Sequence, residues 1–196
     1  MVMRRLVLAL TALFLLSACI GVTMDDNDPK DSKPEPTARS SSDGVEVWDL
    51  TGQPSAKAFG ISDETNDGTY ETKTARSVRF KLPGGRTIDT QATLVSFYRA
   101  GSGSDAHFTV GIRTAQLEPG PLVTAFRDVL TQLDVPTDPA DTLAAKIDAA
   151  PDDQTERISV GSDAVTLGDL KLSAQAGLAP VAGSGRVIVG GSWSDD

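Results

Sequence analysis

Two stretches of alternating apolar and polar residues, Gln91 to Ala100 and Ala106 to Thr114, are separated only by Gly101-Ser102-Gly103-Ser104-Asp105. Successive side chains of a strand point to opposite faces, so alternation marks a half-buried strand. A short link of turn-forming residues between two such strands predicts an antiparallel hairpin. Phe108, Val110 and Ile112 then share its inward face, and His107 faces outward. Any fold for this chain must supply a core for one side of that hairpin.

The period changes after Pro119-Gly120-Pro121. Leu122, Phe126, Val129, Leu130 and Leu133 recur at helical spacing, Pro121 is tolerated in a first turn, and the helix must end before Pro136. A second helix starts at Asp138-Pro139, with Asp138 expected as its cap, Leu143 and Ile147 on one face and Pro151 as its stop. Further strands are predicted at Val45 to Leu50, Arg76 to Leu82, Glu156 to Val160, Ala164 to Ser173 and Arg186 to Trp193. Strands, a central helical pair and strands again predict an α+β domain: a mainly antiparallel sheet with about two helices packed on one face.

Before this domain the chain has a different character. Arg4 and Arg5 precede an apolar run from Leu6 to Leu16, followed by the small residues Ser17 and Ala18, which is the layout of an export signal. As a helix the run would rise only about 16 Å, roughly half of a hydrocarbon core of about 30 Å, so it does not read as a lasting membrane span. Leu16-Ser17-Ala18-Cys19 resembles the lipobox of bacterial lipoprotein precursors. The resemblance implies a diacylglyceryl group on the Cys19 thiol, cleavage between Ala18 and Cys19, and acylation of the new amino group. Two acyl chains hold a protein stably on a bilayer where one holds it marginally.

These features divide the chain into a signal peptide (1–18), a lipidated N-terminus with a disordered linker (19–43) and one globular α+β domain (44–196). The linker is rich in Asp, Pro, Ser and Lys, with almost no apolar residue after Met24, and its expected reach is roughly 25 to 30 Å. The expected location is the extracytoplasmic face of the cell membrane, with Cys19 as the lipidation site.

The formal net charge is −9, and losing a leader with two arginines and no acid makes the remainder more acidic. Acidic surfaces repel phosphate backbones and anionic headgroups, which argues against nucleic acid and leaves membrane attachment to the lipid.

Catalytic and cofactor signatures are few. His107 is the only histidine and Cys19 the only cysteine, too few for a His- and Cys-based transition-metal site. No Gly-x-Ser-x-Gly elbow occurs, and no Gly-Lys-Ser/Thr follows any glycine pair. No cofactor is expected. Asp63, Asp67 and Glu71 occupy positions one, five and nine of a calcium-loop pattern that then fails at Thr74, where a bidentate glutamate belongs; an acidic loop turning at Asn66-Asp67-Gly68 is the plainer expectation. Asp152-Asp153 and Asp195-Asp196 read as solvated acids, and the glycine pairs Gly84-Gly85 and Gly190-Gly191 as turns and bulges.

The expectation is a membrane-anchored lipoprotein with a non-enzymatic binding or presentation domain, its partner an envelope protein. One alternative is a carrier in which Leu122, Phe126, Val129 and Leu133 line a cavity for a lipid or small hydrophobic ligand. Another is a cell-wall hydrolase using carboxylates alone.

Overall fold

The computed structural model describes residues 34–62, 66–101 and 106–193. Among the described residues nine strands form one sheet: β1 (Arg39–Ser42), β2 (Val45–Asp49), β3 (Asp67–Lys81), β4 (Thr87–Ala100), β5 (His107–Thr114), β6 (Ile158–Gly161), β7 (Val165–Leu167), β8 (Leu170–Ala179) and β9 (Ser184–Trp193). Their order is β1-β2-β3-β4-β5-β9-β8-β6, with β7 also paired to β8. All pairs are antiparallel except β2 with β3. Two helices, α1 (Pro119–Leu133) and α2 (Asp138–Asp148), pack against this mixed, mostly antiparallel sheet, so the fold is α+β.

The hairpin forms where alternation requires it, with Ile112 opposite Val95 and Val110 opposite Phe97, all buried. On β8 the same rule buries Leu170, Leu172, Ala174, Ala176 and Leu178. α1 closes over this face with Leu122, Phe126, Val129, Leu130 and Leu133 and touches β4, β8 and β9. Phe59 stacks on Phe97 at 4.1 Å between ring centroids, and Trp48, Phe108 and Trp193 gather around that pair. The turn at Gly168 lies against Pro83 of the β3–β4 connection, so the sheet coils far enough for strands distant in its order to meet.

Several expectations are corrected. The fold begins before Gly44: Pro36 is buried, the Ala38 amide donates to the Ala58 carbonyl at 3.0 Å, and β1 pairs with β2. Composition hid this strand because its four side chains are all exposed and main-chain bonds hold it. Asn66-Asp67-Gly68 is not a turn, since β3 starts at Asp67; Gly68 belongs there because a Cβ would collide with the Phe59 carbonyl oxygen. The stretch from Ala164 to Ser173 is two strands, broken at Gly168, whose φ of +59° only glycine adopts readily. Asp138 is the first residue of α2 and not its cap, which is Thr137; its carboxylate favours the helix N-terminus electrostatically instead. Gly190 and Gly191 lie within β9, where the missing side chain of Gly191 leaves room for Leu172. Cys19, the leader and most of the linker lie outside the described residues, as do Asp63 and Asp195-Asp196.

Candidate functional site

β5 stops at Thr114, opposite Ala92, while β4 begins at Thr87. The chain stays bonded to β9 through Leu117, which exchanges two backbone hydrogen bonds of 2.8 Å with Gly185. It continues into α1, which packs beside the part of β4 that β5 does not reach. Two side chains fix the helix there. The Gln132 carbonyl oxygen accepts the Asp89 amide at 2.6 Å. Arg86 donates to the Leu133 carbonyl at 2.8 Å and to the Asp134 carboxylate at 3.0 Å. Arg86 thereby satisfies a helix-terminal carbonyl and sets a positive charge at the negative end of the helix. Asp134 ends α1 with φ of +58°, a conformation aspartate tolerates better than most residues.

Towards the N-terminal half of α1 the helix and sheet part, leaving a cleft of about 550 Å³. Pro121, Ala125 and Asp128 line its helix side, and Ser77, Arg79 and Gln91 its sheet side. Arg79 holds Asp89 through two hydrogen bonds of 2.6 and 3.2 Å, and the Gln91 amide donates to the Ser77 hydroxyl at 2.8 Å. Asp128 is exposed, and its carboxylate makes no ion pair among the described residues. The cleft therefore offers apolar walls, a few fixed polar groups and one uncompensated negative charge.

A second polar centre ties β1, β2 and β3 together. Glu46, only 10% exposed, accepts from Arg39 at 2.7 Å, Arg76 at 2.9 and 3.1 Å, and the Trp48 indole at 2.6 Å. Burial alone would raise its pKa, but the hydrogen bonds from Arg76, Trp48 and Arg39 together outweigh that and hold it below the usual glutamate range. Arg39 also lies over the rings of Trp48 and Tyr70. A hollow of about 400 Å³ beside this network is bordered by Glu35, Ser40 and Arg76. Both arginines are committed to Glu46, so the network reads as a structural clamp.

The remaining sequence candidates do not converge on either place. Asp67 and Glu71 stand on extended strand β3, where Thr69 donates to Asp67 and Arg113 pairs with Glu71. Among the described residues no three His, Cys, Asp or Glu side chains come together. His107 is exposed at the start of β5, and Asp152-Asp153 occupy an exposed turn. Leu122, Phe126 and Leu133 are fully buried in the core, while Val129 reaches one wall of the cleft. Asp128, Gln132 and Glu46 were not singled out by sequence, because each acquires its place from a strand or helix distant along the chain. No protein family matches the chain, and no curated protein or solved structure resembles it significantly.

Proposed function

We propose that this chain is a lipid-anchored, extracytoplasmic lipoprotein whose α+β domain is a non-enzymatic binding module, offering the α1–β4 cleft to another envelope molecule. The lipobox-like Leu16-Ser17-Ala18-Cys19 supports the anchor. The observation that carries the binding role is where the free volume lies. The apolar stripe of α1 fills the core, and the roomy cleft opens at the surface between helix and strand. Its size falls within the range of ligand sites, about 300 to 1,000 Å³. A carrier of acyl chains would need Leu122, Phe126, Val129 and Leu133 to line a void; Leu122, Phe126 and Leu133 are packed among other core residues, and of the four Val129 alone reaches the cleft.

The test has two readings on protein extracted from host membranes. The intact mass should show a mature chain beginning at lipidated Cys19, and Cys19→Ala should move the protein from the detergent phase to the aqueous phase. Native mass spectrometry should then show no further lipid bound to the domain. An unmodified N-terminus elsewhere would refute the anchor, and a stoichiometric co-purified lipid would replace the binding module with a carrier.

A further inference from the structure

The net charge conceals a segregation. β5, β6, β8 and β9 contain not one aspartate or glutamate, on a chain with 27 acids against 18 lysines and arginines. Alternation decides where the charges of these strands lie. Val110, Leu172 and Val189 point into the core, so the residues between them point outward, to the sheet face turned away from the helices. Across that face Ser96, Gly111, Gly190 and Ser173 stand opposite one another from β4 to β8. One side of this row of small side chains carries Arg113 and Ile188, and the other Tyr98 and Lys171. Tyr98 and Ile188 are large side chains that the fold leaves exposed.

Arg186 lies further along β9, directly opposite Gly177. A Cβ on Gly177 would meet the Arg157 guanidinium. Arg157, which immediately precedes β6, therefore lies across the place where a side chain facing Arg186 would stand. Like charges so placed repel, and no acid answers them. Arg157, Lys171 and Arg186 make no ion pair among the described residues, whereas Arg113 is matched by Glu71. A group with several anionic oxygens, such as a phosphate, is what two neighbouring guanidinium ions bind best.

The spread of the cations narrows the occupant. From Gly177 to Lys171 along β8 is about 20 Å, and the glycines and serines between build no pocket to read a peptide side chain. A broad anionic surface suits such a face, because each basic residue brought against anionic lipid is worth roughly fivefold in affinity and tyrosine favours bilayer interfaces. We propose that the outward face of β5, β9, β8 and β6 rests on the surface of an anionic bilayer. Arg157 and Arg186 together take a lipid phosphate, Lys171 binds at the far end, and Ile188 and Tyr98 enter the headgroup layer. This contact turns α1 and its cleft towards other envelope molecules. It rests on the reading of Cys19 as a lipid anchor only for keeping a bilayer at hand.

The experiment is chemical footprinting of protein extracted from host membranes and added to preformed vesicles, either of phosphatidylcholine alone or with about one third phosphatidylglycerol. Phenylglyoxal labels arginine, a succinimidyl ester labels lysine, and peptide masses locate the labels. On the anionic vesicles labelling of Arg157, Arg186 and Lys171 should fall by about fivefold relative to the neutral ones. Arg127 and Lys146, exposed on the helices, should be labelled equally on both. Gln175→Glu, a change of charge without change of shape at an exposed position opposite Ile188, should restore most of the labelling with the thermal transition unchanged. Equal labelling of the three cations on both vesicles, or equal protection of Arg127 and Lys146, overturns the proposal. So does protection by soluble polyglutamate with none by vesicles, which would assign the face to an acidic polypeptide. A lipidated N-terminus without protection would remove this face and leave the anchor, whereas protection of a chain lacking the lipid would remove the anchor and leave the face.

Discussion

Glu46 shows how much a single residue can organise. Its carboxylate collects three side chains from β1, β2 and β3, so the edge strand β1 is tied down by a charge pair in addition to its main-chain bonds to β2. Its folded ionisation lies below the ordinary glutamate range, which means the unfolded chain takes up the proton more readily. That contribution to stability is complete above the unfolded pKa and is lost as pH falls through and below the folded value. Urea unfolding should accordingly show stability dropping from about pH 5 towards pH 3 in the native protein, with a shallower drop in Glu46→Gln. At pH 7 the substitution should cost about 2 kcal/mol, the scale of hydrogen bonds to a charged group. Parallel pH profiles for the two proteins would refute the clamp. Nothing local marked Glu46 in the sequence. It alternates with Val45 and Val47 like any outward residue, and its arginines arrive through the β1–β2 hairpin and the parallel pairing of β2 with β3.

At the level of elements, the local periodicities were legible and the long-range pairings were not. Leu122, Phe126, Val129, Leu130 and Leu133 declared α1, and all five are buried. Val110 and Ile112 declared β5 in the same way. What the pattern could not convey is that α1 takes up the position beside β4 that β5 vacates, since this depends on β5 ending at Thr114, opposite Ala92, and on Gln132 meeting Asp89. The site was therefore hidden even though its helix was plain. Gln132→Ala should release the Asp89 amide, speeding its hydrogen exchange and costing about 1 kcal/mol, with the rest of α1 protected as before. If the Asp89 amide stays protected, the side-chain amide is not what shields that edge.

On the scale of the whole domain, strands from both ends of the described chain converge on one aromatic cluster. Trp48 of β2 and Trp193 of β9 both lie near Phe59 and Phe97, so neither end can leave without opening the core. Fluorescence of Trp48→Phe, which reports Trp193, and of Trp193→Phe, which reports Trp48, should each follow the far-ultraviolet dichroism through a single urea transition. Separate midpoints would mean that one end unfolds on its own. Composition could suggest that the two tryptophans were interior, yet their shared neighbourhood follows from strand order, which alternation leaves undetermined.

β9 is the last described strand in the chain, yet it takes a seat inside the sheet, bonded to β5 on one side and β8 on the other. A polypeptide synthesised from its N-terminus delivers this strand after all the others described. Until then β5 and β8 would each carry a bare margin open to pairing with foreign chains. Maturation would thus be deferred until Ser184–Trp193 has emerged, and chains interrupted before Ser184 would be clients for proteolysis or chaperones rather than shortened working copies.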